Sequence, residues 1–145
     1  MESTLKSSRN RIFSIVVLMV AWWGMLFAQQ LSVTLPAVSV PPGTSMNIPV
    51  SIGSTTGLNI TAFEFVVTCD TTIMSLDGAD NAGSISGSFS LLSNNFAGGF
   101  NAGRMKVVAA SSTPLSGSGV LVIIKGTTKN KPGSAPLRFE SFIFN

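Results

Sequence analysis

The sequence predicts an all-β protein, a sandwich of short strands behind an apolar leader. Three observations point there. Beyond residue 30, apolar side chains recur with period two. Clusters of Gly, Pro and Ser separate these segments at regular spacing. No long stretch of residues 29–145 shows the 3.6-residue period of an amphipathic helix.

The leader spans residues 1–28. Lys6, Arg9 and Arg11 precede an apolar run of 17 residues from Ile12 to Ala28, and polar Gln29 and Gln30 follow. A basic start, an apolar stretch and a small residue before polar sequence form a secretory signal pattern, with cleavage expected after Ala28. The run is shorter than the ~20 residues of a typical spanning helix. The alternative is an uncleaved N-terminal anchor. On the signal-peptide reading the domain is residues 29–145, secreted or at the cell surface, and it meets the membrane only during export.

Leu31, Val33 and Leu35 alternate and suggest a first strand. Pro41-Pro42-Gly43-Thr44 is a turn. Met46, Ile48, Val50 and Ile52 then place one apolar face on a second strand. Pro49 within it has no N–H to donate, so a free edge or a bulge is expected there. Ile60 to Cys69 is the clearest strand: Phe63, Phe65 and Val67 point one way, and Ala62, Glu64, Val66 and Thr68 the other. The phenylalanine side must be core. Asp70-Thr71-Thr72 ends this strand and Ile73 to Leu76 continues briefly. From Asp77 to Asn101 the chain is rich in Gly, Ser and Asn, with one or two irregular strands expected around Ile85, Phe89, Leu91, Leu92, Phe96 and Phe100. Arg104 to Ala110 alternates again, with Met105, Val107 and Ala109 inward. Val120 to Ile124 is apolar on both faces, as in a strand covered on both sides. A polar turn at Lys129 to Gly133 precedes Leu137, Phe139, Phe142 and Phe144.

Composition excludes several functions. Residues 29–145 carry six basic and five acidic side chains, a net charge of +1. The dense basic stripe of a nucleic-acid binder is absent. The chain has no His, so Ser-His-Asp and Cys-His catalysis is impossible within it. One Cys, Cys69, cannot form an internal disulfide and is expected to be buried or at a strand end. No metal site, cofactor or catalytic residue is expected. Asp77 and Asp80 could pair for calcium or acid–base work but read as solvated turn residues. Asn59-Ile60-Thr61 fits the short N-glycosylation pattern. A sugar-binding platform would present Trp or Tyr rings to solvent. Residues 29–145 contain neither, and their eight Phe fall mostly on apolar strand faces.

The ordered segments together resemble cohesin domains. Val33 to Ile52 (VTLPAVSVPPGTSMNIPVSI) resembles the family's opening strand, Gly-containing turn and Val-x-Val-Pro-Val-like strand, here Met46 to Val50. Gly57 to Leu76 (GLNITAFEFVVTCDTTIMSL) resembles the next strand and the short one after it. Arg104 to Ala110, and Pro114 to Leu121 (PLSGSGVL), resemble the later strand and the turn leading into its successor. The resemblance covers residues 29–145. It implies a β-sandwich of jelly-roll-like topology with about nine strands when complete. Because the sequence stops inside the run Phe142-Ile143-Phe144-Asn145, the last strand is expected to be missing and the first strand's edge exposed.

The resemblance also implies a function: a non-catalytic module that binds a dockerin, a small helical domain that carries its own calcium, in polysaccharide-degrading or cell-surface assemblies. The partner-binding face implied is Ala62, Glu64, Val66 and Thr68, joined by Arg104, Lys106 and Val108 from a neighbouring strand. This sequence departs from the family in three places. The polar pair on the binding strand matches Ala62 and Glu64, so one polar member is lost. Cys69 replaces a Tyr. Ser111-Ser112-Thr113 replaces an acidic loop. A carbohydrate-binding module with a polysaccharide ligand, and a structural repeat of a larger surface protein, are the other readings.

Overall fold

A computed structural model describes residues 31–37, 39, 41–96, 102–131 and 137–145. The leader, Phe100 and the Pro132-Gly133 turn lie outside them. Eight strands form: β1 (Val33–Thr34), β2 (Ser45–Ile52), β3 (Ala62–Thr68), β4 (Met74–Asp80), β5 (Ser90–Phe96), β6 (Arg104–Ala110), β7 (Gly119–Thr128) and β8 (Arg138–Phe144). They make two four-stranded sheets of order β1-β2-β7-β4 and β5-β6-β3-β8. Every pairing is antiparallel.

Alternation puts the expected side chains between the sheets. Ile48, Val50 and Ile52 from β2 meet Phe63, Phe65 and Val67 from β3 and Met105, Val107 and Ala109 from β6, all buried. The aromatic part is continuous. Phe65 stacks on Phe142 at 5.0 Å between ring centroids and meets Phe139 edge-on at 5.7 Å, while Phe89 caps Phe63 at 5.8 Å. Such contacts add to area burial when rings are offset or edge-to-face.

Two strands differ from the sequence expectation, and bulges explain both. Val120 to Ile124 is apolar on both faces because β7 shifts register: Val50 faces Val122 and Ser51 faces Val120. Leu121 is the extra residue, and Leu121 and Val122 are both fully buried. That bulge lies beside Pro49, and β1 pairs only with Ser51 and Ile52, so no β1 ladder needs an N–H from the proline. In β8 the register slips between Ser141, which faces Val66, and Phe139, which faces Val67. Glu140 is the extra residue there.

The segment after Asp77 also resolves. Asp77 to Asp80 belongs to β4, a turn-rich loop runs to Phe89, and β5 follows. β5 stitches the sheets along one side: Asn95 Nδ2 donates to the Leu76 carbonyl at 3.0 Å, and Ser93 Oγ accepts from the Ala79 amide at 3.3 Å.

Candidate functional site: the outer face of the β5-β6-β3-β8 sheet

Period two in β3 leaves Ala62, Glu64, Val66 and Thr68 half-buried on the side away from the phenylalanines. In β6 the same alternation leaves Arg104, Lys106 and Val108 outward. The register joins them: Glu64 faces Val108, Val66 faces Lys106 and Thr68 faces Arg104. All seven residues singled out in the sequence therefore share one sheet face.

The flanking strands complete that face. From β5, Leu92 faces Val108, Asn94 faces Lys106 and Phe96 faces Arg104. From β8, Ile143 faces Glu64, Ser141 faces Val66 and Arg138 faces Thr68. Three cross-strand rows spanning all four strands result. One of them, Leu92–Val108–Glu64–Ile143, is mostly apolar. Leu92 is 77 % exposed, Ile143 55 %, Val108 38 % and Phe96 36 %. These are the exposed large hydrophobic side chains among the described residues, and all four lie on this face. Ile143 also edges a shallow depression of about 210 Å³, lined by Ala62, Glu64, Val108 and Asn145.

The charges on the face are largely internal to it. Lys106 Nζ sits 3.1 Å from a Glu64 carboxylate oxygen, on the diagonal between β6 and β3. Arg104 forks onto Glu140, with Nε donating to Oε2 at 2.7 Å and the second bond running from Nη2 to Oε1. That pair bridges from β6 across β3 to the β8 bulge, which turns Glu140 outward. Bidentate Arg–carboxylate bonds are the strong class of ion-pair contact.

The face's end is held by backbone and amide bonds. Gly103, at φ +79°, closes the turn into β6, and its carbonyl accepts the Cys69 amide at 2.8 Å. A Cβ there would collide with the Cys69 carbonyl, so only glycine fits. Cys69 is half-buried just past β3. Burial, then the nearby Asp70, pushes its thiol pKa up, away from reactivity. At the other end Asn145 Oδ1 accepts the Thr61 and Ala62 amides at 2.9 Å each, and Nδ2 donates to Thr61 Oγ1. Asn59 is exposed, with buried Ile60 behind it.

Asp77 and Asp80 lie on the other sheet and serve structure. Asp77 accepts from Ser75 Oγ at 2.9 Å and Thr127 Oγ1 at 2.6 Å. Asp80 accepts from the Ala82 amide at 2.9 Å and pairs with Lys125 at 3.0 Å, and these hold its pKa below the ordinary value. Among the described residues no group of three or more His, Cys, Asp or Glu could hold a metal ion.

The family model for the cohesin domain matches residues 31–142. The chain belongs to the cohesin family. Solved cohesins share its fold. The sixth cohesin of scaffoldin B from Acetivibrio cellulolyticus, solved with a Cel5 dockerin, is 21 % identical, with a TM-score of 0.64 over 80 % of this chain and 86 % of that one. A non-cellulosomal cohesin from the archaeon Archaeoglobus fulgidus is 16 % identical, with a TM-score of 0.66 over 79 % and 77 %. The cohesin of the OlpA–Doc918 complex from Clostridium thermocellum is 22 % identical, with a TM-score of 0.60 over 79 % and 84 %. No curated protein matches the chain. Cohesin domains are non-catalytic binding modules, in agreement with the missing histidine.

Sequence reasoning reached β3 and β6 but missed Leu92, Asn94, Phe96, Arg138, Glu140, Ser141 and Ile143. For β8 a signal existed. Phe139 and Phe142 are three apart where period two demands two or four, and that break marks the bulge. For β5 the alternation has too few buried partners to be read: only Leu91 among its residues is even partly buried.

Proposed function

We propose that this cohesin is an attachment module that binds a dockerin-type helical domain on the outer face of the β5-β6-β3-β8 sheet. One observation carries the reading: the exposed large apolar side chains of the described residues gather on that single face. A patch of this kind on a soluble domain marks an interaction surface. Support comes from the solved relatives in complex with dockerins. The module acts outside the cell, as the leader of residues 1–28 implies, and calcium belongs to the partner. Because one relative is a non-cellulosomal cohesin, the assembly need not be a polysaccharide-degrading one.

The test is a pull-down of the full chain with the dockerin modules encoded in the same genome, with and without a calcium chelator. Capture that disappears with the chelator is the expected result. Val66→Arg should abolish capture and leave the thermal midpoint unchanged, because Val66 points outward. Asn47→Arg, exposed on the opposite sheet, should change neither. Capture that survives Val66→Arg would place the contact elsewhere.

A further inference from the structure

The two sheets have four edge strands, β1 and β4 on one, β5 and β8 on the other. An open edge offers unpaired N–H and C=O groups to any strand that reaches it, and folded proteins blunt most of their edges. β1 is only two residues long, Val33–Thr34. β4 and β5 close against each other, through the Asn95 bond to the Leu76 carbonyl and the Ala79 bond to Ser93 Oγ. β8 is different. Among the described residues no strand pairs with its outer edge. Its bulge and both its charges fall at Arg138 to Glu140, and the stretch from Ser141 to Asn145 carries no charge, proline or bulge.

The ladder to β3 fixes which backbone groups of β8 face outward. The Asn145 amide donates to the Ala62 carbonyl at 3.2 Å, and in an antiparallel pair such bonds recur at every second residue. Ile143 and Ser141 therefore bond to β3 opposite Glu64 and Val66, and the N–H and C=O groups of Phe142 and Phe144 point out of the sheet. The side chains leave the same flank uncovered. Phe139, Phe142 and Phe144 are only half-buried, whereas Phe63 and Phe65 on β3 are buried. Ile143, between the two residues that bond outward, is an exposed apolar side chain.

We infer that the edge of β8 pairs antiparallel with the same edge of a second copy of this chain, about a two-fold axis at Ile143. In this register Phe142 lies opposite the partner's Phe144, Phe144 opposite the partner's Phe142, and Ile143 opposite the partner's Ile143. Each phenylalanine pair exchanges both of its outward N–H···O bonds. Aromatic pairs form on the inner side and an isoleucine pair on the outer, and such cross-strand pairs are the unit of sheet stabilisation. Ser141 meets the partner's Asn145, polar against polar, and no charge enters the ladder. The sequence itself selects a second copy as the occupant. A two-fold axis lays Phe142-Ile143-Phe144 on itself with like chemistry at every position, as a self-complementary interface requires. Residues 29–145 carry a net charge of only +1 to oppose association. Pairing turns the outer faces of both copies the same way, side by side on one continuous sheet.

Sedimentation equilibrium of the full chain from about 5 to about 500 µM measures the association, and so short a ladder should give a dissociation constant on the order of 10–100 µM. Ile143→Lys and Ile143→Glu each set like charges opposite one another on the axis and should weaken the dimer at least about tenfold. Mixed in equal amounts, the two variants should associate again, because opposite charges then meet on the axis. Leu92→Lys, at the far edge of the same sheet, should leave the dimer intact. Ile143 and Leu92 are both exposed, so the thermal midpoint of the dilute protein should not move. A chain that stays monomeric throughout, a dimer that survives both Ile143 variants, or a mixture that fails to associate would overturn the inference. Dissociation by Leu92→Lys would mean that two outer faces stack instead, and would overturn it as well.

Discussion

The outer faces of the two sheets arise from the same alternation and end in different chemistry. On the β1-β2-β7-β4 sheet, Ser45, Thr127, Asp77 and Ser75 form a chain of hydrogen bonds, and Lys125 pairs with Asp80 beside it. Its strands offer Ser45 and Asn47 to water and keep Pro49 and Ile123 half-covered. On the β5-β6-β3-β8 sheet the ion pairs are as complete, yet Leu92, Val108, Ile143 and Phe96 stand in solvent among them. Polar satisfaction is therefore not what separates the solvated face from the candidate one. The difference is apolar surface left open where the neighbouring chemistry would allow polar residues, as it does on the other sheet.

The largest effect should come from the layer beneath the candidate face. Phe65, fully buried next to outward Val66, should cost about 3–5 kcal/mol when changed to Ala, through lost burial and a cavity among Phe63, Phe139 and Phe142. Urea denaturation measures this. A loss below about 1 kcal/mol would mean that the inner and outer sides of β3 were exchanged.

A smaller effect should separate the two outer faces. Thr127→Val keeps the shape and removes the hydroxyl that joins Ser45 to Asp77. It should lower stability by about 1 kcal/mol and leave partner affinity untouched. A clear drop in affinity for a captured partner would make the polar sheet part of the binding surface.

The smallest is a pH effect at the polar face and the turn between β3 and β4. Asp80 and Asp70 have carboxyl pKa values held below the ordinary 3.8, Asp80 chiefly by the Ala82 amide and Lys125, Asp70 chiefly by Thr72. Their folded values lie under their unfolded ones, so their contribution is full above 3.8 and is lost as pH falls through the depressed folded value. The thermal midpoint should therefore decline on acidification below that point, and the decline should be shallower in Asp80→Asn. An unchanged profile in that variant would remove Asp80 from the account.

How much of this was legible depends on whether a residue's place is set by its own strand or by a neighbour. Phe63, Phe65 and Val67 declare their side by local alternation, and so do Glu64 and Lys106. Leu92 and Phe96 do not, because β5 sits at a sheet edge among Ser and Asn and its outward residues gain meaning only from pairing with β6. Cross-strand register also decides that Leu92, Val108 and Ile143 align, although 51 positions separate the first from the last. Leu121 was hidden for a further reason: in an unbroken apolar run the extra residue of a ladder is defined only by the partner strand.

The bulge at Glu140 makes one position of β8 optional. Remove Glu140, and Arg138, Ser141 and Ile143 still alternate outward while Phe139, Phe142 and Phe144 still alternate inward. The ladder simply closes over the gap, and the core need not notice. What changes is the surface: Arg104 loses the Glu140 carboxylate, and the face loses one negative charge. A single-codon deletion would thus change the charge of the outer face in one step, with the aromatic scaffold carried through unaltered.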